Sequence, residues 1–382
     1  MKRDLSLDVL RGIMLLVMAA DHFGEPIFQH LYELAGYVSA AEGFVFLSGM
    51  LVAVVYSRYY AAGGWVLEQR VWQRAKVIFL YHVVVLLAVF VFTVATVWSG
   101  AYWQSFATEM QVEPLRALFS GLLLVYQPPM LDILPMYVLL MLLAPLPLRM
   151  MLRFGNTGVL LVVLGSVGLW WAAQYGGGYA LLGLVPDALA IRVGAFDYMA
   201  WQLIFVLGMV LGFLRFSGQA RLPAWSGGWL LLSLLLIVSL YLLRHGWVPL
   251  DSMPGLAWLV DYPHIARSSM GWLRLLDFLA FVYVVSVLVA WQQRYGLFNW
   301  LARLGHWLAF LGQHSLQVFA YHLVVLYCYI PFRWGDWALT DPQKWVWLVV
   351  FLASLTLPAW LHARYQAGKQ QYVFSHRGLV ST

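Results

Sequence analysis

Long apolar stretches alternate with short polar ones along the whole of this 382-residue chain. A helix of about 20 apolar residues is long enough to cross the hydrocarbon core of a bilayer. The pattern predicts ten such helices, at about 8–24, 41–57, 77–98, 131–150, 157–174, 197–215, 228–243, 272–292, 304–330 and 345–363. We therefore predict an all-α polytopic membrane protein in which residues 1–382 form a single transmembrane domain.

The composition supports this class. Hydrophobic residues make up 63% of the chain and charged residues 10%, whereas a soluble domain averages about 45–50% and about 25%. The first apolar stretch follows Lys2 and Arg3 without a small-residue cleavage site, which indicates a retained helix rather than a signal peptide. Cys328 is the single cysteine, so an intrachain disulfide and a cysteine-based metal site are excluded.

The net charge of +6 comes from basic residues that are unevenly distributed between the two sides of the predicted helices. Most of the Lys and Arg residues fall on one side, which includes the N-terminus and the stretch 58–76. The opposite side includes the stretches 99–130 and 244–271 and is richer in acidic residues. This positive-inside asymmetry places both termini in the cytoplasm. The basic balance therefore does not indicate a nucleic-acid partner.

Two polar residues of the first helix, Arg11 and His22, lie eleven residues apart. That spacing is just over three turns, so both side chains share one helix face and are separated by about 16 Å. Each charge in a membrane helix costs roughly 2.5–3.5 kcal/mol, which favours a functional role. The pair would suit a long anionic donor that enters from the cytoplasm. Alternatively, Arg11 snorkels and pairs with Asp8, and His22 merely caps the helix.

His22 is the natural candidate for a general base, because an imidazole with a pKa near 6.5 accepts protons at neutral pH. A carboxylate would be needed to fix its tautomer. Asp21 is adjacent in sequence but lies about 100° around the helix. Glu42, at the start of the second helix, is therefore the better candidate. Ser39 and Glu42 also fit a helix capping box, and both interpretations of Glu42 stay open.

The ninth apolar segment contains His306, His314 and His322. Their eight-residue spacing separates neighbouring rings by about 80° around a helix, unlike a metal pair one turn apart. No HExxH or CxxC pattern is present, so no metal site is predicted. We assign His314 to hydrogen bonds between helices or to the lining of a reaction cavity.

Asp132 is a candidate for the substrate site. It immediately precedes the apolar segment ILPMYVLLMLLAPLP, whose prolines imply a bent span. Irregular backbone at membrane depth is tolerated beside a cavity. Asp132 could therefore face a ligand there.

Four motifs resemble one known family. They are LDVLRG…DH in the first helix, SAAEGFVFLSG in the second, ILPMYVLLMLLAPLPL, and LGQHSLQVF in the ninth. Together they are similar to the OpgC family, the membrane enzymes that succinylate osmoregulated periplasmic glucans. That family belongs to a wider group of transmembrane acyltransferases, which includes the acyltransferase-3 family and the lysosomal heparan-α-glucosaminide N-acetyltransferase. The resemblance extends over the whole chain.

The resemblance implies a multi-pass enzyme of the bacterial inner membrane. Such an enzyme would move an acyl group, succinyl by family expectation, from cytoplasmic acyl-CoA to a hydroxyl group of a periplasmic glucan. By the family match, His22 is the catalytic histidine and Arg11 is the arginine on the donor side. Glu42 is the acidic partner of His22, and Asp21 is kept as a second acidic candidate. Four further basic residues are candidates for binding CoA, namely Arg58, Arg70, Arg74 and Lys76. The positive-inside asymmetry explains their presence equally well. No tightly bound cofactor is expected, because acyl-CoA is a co-substrate.

A competing interpretation is a proton-coupled transporter or flippase of a small solute or glycan. Asp21, His22 and Glu42 would then form a proton relay, and the prolines within spans would suit a solute carrier. Against it, no inverted repeat is evident and the polar residues are concentrated in the first two helices. The expected partners are the lipid bilayer, acyl-CoA and a glycan acceptor, and a homo-oligomer stays open.

Overall fold

The computed structural model describes residues 4–24, 31, 33, 35–95, 107–178, 184, 194–219, 226–248, 258, 261–334 and 339–377. In these residues the chain is helical apart from short connections. The α-helices are α1 (Leu5–Phe23), α2 (Ala40–Tyr56), α3 (Val66–Ala95), α4 (Thr108–Val112), α5 (Pro114–Leu122), α6 (Ile133–Leu143), α7 (Pro145–Gln174), α8 (Tyr198–Phe216), α9 (Gly227–Arg244), α10 (Tyr262–Ile265), α11 (Trp272–Tyr295), α12 (Ala302–Gln313), α13 (Ser315–Trp334), α14 (Asp341–Ser354) and α15 (Thr356–Arg377). Two 3-10 helices, Ser57–Ala62 and Asn299–Leu301, join α2 to α3 and α11 to α12.

Several helices are long and apolar enough to cross a membrane. In the described part of the chain there are seven, at Ala40–Ala62, Val66–Val94, Ile133–Gln174, Tyr198–Phe216, Gly227–Arg244, Trp272–Tyr295 and Asp341–Lys369, together with the shorter apolar stretch Ser315–Ile330. Helix α1 has 19 residues but carries Asp8, Arg11 and Asp21. The all-α polytopic membrane fold is thus confirmed, while ten crossings and cytoplasmic termini stay predictions.

The helix bounds differ from the sequence prediction at several places. Helix α3 begins at Val66, so it includes part of the polar stretch 58–76. Helices α4 and α5 lie in the stretch 99–130, for which no helix was predicted. Helix α7 extends across the predicted gap between segments 131–150 and 157–174, but its backbone leaves the helical region inside that gap, at Gly155, whose φ of 56° is readily adopted by glycine. The predicted segment 304–330 is divided at His314 into α12 and α13.

The chain divides into two compact units. The terminal unit, Met1–Gln29 with Leu301–Thr382, contains α1 and α12 to α15. The central unit, His30–Trp300, contains α2 to α11. In the central unit, α2 and α8 pack closely because Gly49 lies against the backbone of Phe205 and Gly208 lies against the backbone of Phe46. A Cβ atom at either glycine would clash with the facing carbonyl oxygen.

A similar glycine contact joins α1 to α12 in the terminal unit. Gly12 lies against the carbonyl of Leu308, and Gly312 lies against the carbonyl of Asp8. The later residue of α1 thus meets the earlier residue of α12, and the earlier residue of α1 meets the later one. The two helices are therefore antiparallel. The absence of side chains at both glycines lets the two backbones approach closely, which fixes the position of α1 in this unit.

Helix α13 packs against α1 with the opposite orientation to that of α12. Arg11 bonds to Ser315, and His22, further along α1, bonds to His322, further along α13. The two helices therefore run in the same direction. Since α12 is antiparallel to α1, the chain changes direction at His314, between α12 and α13.

Candidate active site

Arg11, the first residue of the predicted pair, is held at the start of α13. The guanidinium group of Arg11 donates a hydrogen bond to the hydroxyl group of Ser315, the first residue of that helix. One turn earlier on α1, the buried carboxylate of Asp8 accepts a hydrogen bond of 3.3 Å from the side-chain amide of Gln313. The segment 313–315 between α12 and α13 is thus bonded to α1 through two side chains.

The histidine of the predicted pair faces a second histidine. Nδ1 of His22 lies 3.2 Å from Nε2 of His322. The ring centroids are 5.4 Å apart and the ring planes differ by 19°. Both nitrogens therefore lie between the ring centres and face each other, as in a hydrogen bond made in the plane of the rings. His22 is half-buried, while His322 is 1% exposed.

The pairing of His22 with His322 was not predicted from the sequence, although the spacing of the residues on α13 contains a signal for it. Ser315 and His322 are seven residues apart, which places them on one face of α13 about 10 Å apart along the axis. Arg11 and His22 are separated by about 16 Å on α1. The side chain of Arg11 is long enough to reach Ser315 in spite of the shorter spacing on α13. One face of α13 therefore runs beside the whole Arg11–His22 stripe, by which we mean the face of α1 that carries these two residues.

His314 contacts another helix, as one of its two predicted roles required. Its Nδ1 lies 2.8 Å from Nδ1 of His362 on α15, and the rings meet edge to face with centroids 5.0 Å apart. Nε2 of His362 in turn lies 3.2 Å from the side-chain amide of Gln366. A role of His314 toward substrate stays a prediction. Among the residues that the structure describes, no group of three or more His, Cys, Asp and Glu side chains could hold a metal ion.

Asp21 precedes His22 at the end of α1. Its backbone carbonyl accepts a hydrogen bond of 3.1 Å from the amide of Gly24, which ends the helix. Its side chain is half-buried. The catalytic assignment of Asp21 stays a prediction.

Glu42 forms the predicted helix cap and also a buried ion pair. Its carboxylate accepts from the backbone amide of Ser39 at 3.0 Å and from the hydroxyl group of Ser39, which completes a capping box. Nη1 of Arg274 lies 2.8 Å from the other carboxylate oxygen. The helix-cap interpretation is therefore confirmed. Glu42 belongs to the central unit and His22 to the terminal unit, and a catalytic role of Glu42 stays a prediction.

Arg274 is the centre of a buried charge network in the central unit. Besides Glu42, its guanidinium group binds the carboxylate of Glu33 and donates to the backbone carbonyl of Tyr37. Glu33 also binds Arg244 at the end of α9. The network joins the segment before α2 to α9 and α11, and it satisfies the charges that would otherwise be buried alone.

Asp132 holds the chain before α8. Its carboxylate accepts a hydrogen bond of 3.1 Å from the amide of Ala195, while the side-chain oxygen of Gln127 accepts one of 2.7 Å from the amide of Gly194. Asp132 immediately precedes the span that begins at Ile133. Burial raises the pKa of Asp132, against the lowering effect of the Ala195 hydrogen bond and of Arg267. A role of Asp132 toward substrate stays a prediction.

Two of the basic residues proposed for CoA binding surround one aromatic ring. The guanidinium groups of Arg58 and Arg70 lie 4.9 Å and 5.4 Å from the centroid of the Tyr59 ring. Further along α3, Arg74 is half-buried and Lys76 is exposed. The structure thus brings Arg58 and Arg70 together around an aromatic side chain that the sequence analysis did not single out. Binding of CoA by any of the four stays a prediction.

Comparison with known proteins gives one match. The family model described as OpgC protein matches residues 3–367, which is nearly the whole chain. No curated protein and no solved structure matches the chain.

Proposed function

This chain belongs to the OpgC family, and on that premise we propose that it transfers an acyl group from cytoplasmic acyl-CoA to a hydroxyl group of a periplasmic glucan. We propose succinyl as the acyl group. The observation that carries the proposal is the Arg11–His22 stripe of α1, because one face of α13 follows it from Ser315 to His322. A polar stripe along an otherwise apolar helix would suit a donor that extends into the membrane.

The Arg11 end of the stripe is suited to an anionic donor. The guanidinium group of Arg11 lies at Ser315, where α13 begins. A helix N-terminus carries unsatisfied amide groups and the positive end of the helix dipole, and both favour an anion. Arg11 adds a full positive charge at the same place. We propose that this end binds the donor and aligns its thioester with His22.

The His22 end is suited to general-base catalysis. The imidazole takes the proton of the acceptor hydroxyl group as the hydroxyl oxygen attacks the thioester carbonyl carbon. The carbon–sulfur bond then breaks, the thiolate of CoA leaves, and His22 returns the proton to the sulfur. The products are the acyl ester of the glycan and free CoA. A positioned general base contributes about 10²–10⁴-fold to such a reaction.

The test is transfer by the purified protein in lipid nanodiscs, with succinyl-CoA and a periplasmic glucan as substrates. We expect His22→Ala to lower kcat by at least about 10²-fold while it leaves donor binding intact. His306→Ala is the matched control, since His306 is exposed on α12 and bonds to the carbonyl of Ala302. Near-normal transfer by His22→Ala would contradict the proposed mechanism. Acetyl-CoA in place of succinyl-CoA tests the acyl group.

A transporter or flippase is the second candidate, because the chain changes direction at His314 beside the stripe. Interrupted helices at a binding site are common in transporters. Thermal stabilisation of the purified protein by acyl-CoA and not by free sugars supports the enzyme. Proton-coupled uptake into liposomes that does not depend on CoA supports the transporter.

A further inference from the structure

We propose that His322 is a positioning residue that fixes the tautomer of His22, a role that hydrolases with a Ser-His-Asp triad give to a carboxylate. The inference rests on the proposed acyltransferase function. Its structural basis is the facing pair of nitrogens, Nδ1 of His22 and Nε2 of His322, at 3.2 Å. The two rings are inclined by only 19°, so the lone pair of one nitrogen can point at the proton of the other.

The hydrogen bonds of His322 decide which nitrogen of the pair carries the proton. A neutral imidazole has one donor nitrogen and one acceptor nitrogen. The imidazole of His322 also lies within reach of the backbone of Val318 and Phe319, one turn earlier on its own helix. Because Nε2 faces His22, Nδ1 is the nitrogen that can bond to this backbone. Helical residues one turn earlier offer carbonyl groups, which only accept, so Nδ1 of His322 carries the proton.

The state of His22 follows from that of His322. Nε2 of His322 has a lone pair and no proton, so it accepts from His22. Nδ1 of His22 therefore carries a proton, and Nε2 of His22 is left with the lone pair that takes the proton of the acceptor hydroxyl group. The second nitrogen of a histidine commonly sets the tautomer of the first in this way.

The surroundings of His322 hold its ring in this orientation. Its side chain is 1% exposed. The ring of Phe319 meets it edge to face, with the centroids 4.8 Å apart. The ring of His322 cannot rotate away from His22 without breaking its contact with Phe319. The hydrogen bond between the two histidines is therefore formed before a substrate binds.

In the reaction, His22 alone gains and returns a proton. When Nε2 of His22 takes the proton of the hydroxyl group, the ring becomes an imidazolium ion. Its Nδ1–H group stays hydrogen-bonded to the uncharged acceptor on His322. When the thiolate of CoA leaves, Nε2 gives the proton to the sulfur and the original tautomer is restored. His322 keeps its own proton throughout, and no carboxylate is required for this step.

Two variants of His322 separate positioning from packing. His322→Leu keeps an apolar side chain of moderate size but has no acceptor, whereas the amide oxygen of His322→Gln can accept where Nε2 stands. We expect His322→Leu to lower kcat by about 10²-fold or more, within the range of a lost general base, with KM for both substrates nearly unchanged. We expect His322→Gln to retain most of the activity. His306→Leu on the exposed face of α12 is the control.

A spectroscopic measurement reads the tautomer directly. In the protein labelled with ¹⁵N-histidine, we expect His22 to show a protonated Nδ1 and an unprotonated Nε2 at neutral pH, and a mixed tautomer in His322→Leu. Wild-type kcat in His322→Leu, or a His322→Gln variant as inactive as His322→Leu, would overturn the proposal. So would an unchanged His22 tautomer in His322→Leu.

The outcomes distinguish this inference from the proposed function. If the wild-type protein shows no transfer that depends on acyl-CoA, the proposed function fails, but the ¹⁵N spectra still test the pairing. If His22→Ala is inactive and His322→Leu is fully active, the function stands and the inference fails. A melting temperature of His322→Leu close to that of the wild type ensures that lost activity reflects chemistry.

Discussion

At the scale of single residues, the charge network around Arg274 explains how Glu33 and Tyr37 are held beside the start of α2. Arg274 and its carboxylate partners Glu33 and Glu42 are all buried. Taking a charge out of water costs several kcal/mol unless its partners compensate for it. Here each carboxylate is bonded to at least one guanidinium group, and Tyr37 contributes its backbone carbonyl. The network thus holds Glu33, Tyr37 and Glu42 against α11.

Removal of Arg274 should therefore destabilise the protein strongly. Arg274→Met leaves Glu33 and Glu42 buried without this partner, and breaking a buried pair from one side typically costs about 3–5 kcal/mol. The triple variant Glu33→Gln, Glu42→Gln, Arg274→Met removes the uncompensated charges and should recover part of the lost stability. Thermal unfolding in detergent measures both effects. Equal melting temperatures for Arg274→Met and the wild type would contradict this account of the network.

Asp132 should make the stability depend on pH. Burial raises its pKa above the ordinary value of 3.8, so the folded state holds the proton more tightly than the unfolded state. The stability that this proton contributes is full below about pH 4 and is lost as the pH rises through the raised folded-state pKa. Asp132→Asn cannot ionise. The melting temperature of this variant, relative to that of the wild type, should therefore increase as the pH rises above 4. Asp261→Asn, at an exposed position, is the control; parallel pH curves for Asp132→Asn and the wild type would refute the prediction.

At the scale of helices, the glycine contact between α1 and α12 determines where the stripe lies. Gly12 leaves room for the carbonyl of Leu308, and Gly312 leaves room for that of Asp8. Small residues that let backbones approach are a general means of packing helices in membranes. The contact holds Arg11, one residue before Gly12, beside the start of α13.

Gly12→Ala should therefore lower the stability by about 1–3 kcal/mol, the usual range for overpacking. Its Cβ would meet the backbone of Leu308, which cannot move as a side chain can. Gly305→Ala is the matched control, because no atom other than those of its chain neighbours and its own helix backbone lies within 4 Å of the position of its Cβ. It should be neutral or stabilising, since alanine favours a helix more than glycine. If both variants melt at the same temperature, the close approach does not limit the packing of α1.

Local patterns in the sequence predict the helices of this protein, but not the contacts between residues that are distant in the chain. The apolar pattern located the helices well, since each predicted segment falls on a helix, and Ser39 with Glu42 indicated the start of α2 correctly. It did not pair Glu42 with Arg274 or His22 with His322, because those partners lie more than 200 residues away in the chain. The change of direction at His314 also escaped prediction, because no proline marks it.

At the scale of the whole molecule, the orientation in the membrane is the main open prediction. The positive-inside asymmetry places the stretch 58–76 in the cytoplasm and the stretch 244–271 on the other side. Both stretches contain exposed positions that the structure describes, Gln69 on α3 and Trp247 beyond the end of α9. The single cysteine, Cys328, can be replaced by serine to give a cysteine-free background.

Single cysteines in that background should reveal the orientation. We expect a membrane-impermeant maleimide to label Trp247→Cys in intact spheroplasts. We expect the same reagent to label Gln69→Cys only after the membrane is permeabilised. The reverse pattern would place the N-terminus of the chain outside the cytoplasm and would exclude a cytoplasmic donor at Arg11.

The terminal unit is built from the two ends of the described chain, and this affects how the protein is made. Helix α1 leaves the ribosome early, but His322 follows only after residues 30–300 have been translated. At about 5–20 residues per second, the delay is on the order of tens of seconds. During that time the arginine and the histidine of α1 lack Ser315 and His322. Nascent chains that stop before α13 therefore carry His22 without its partner. The supply of a chaperone or insertase that shields α1 would then limit the yield of the folded protein.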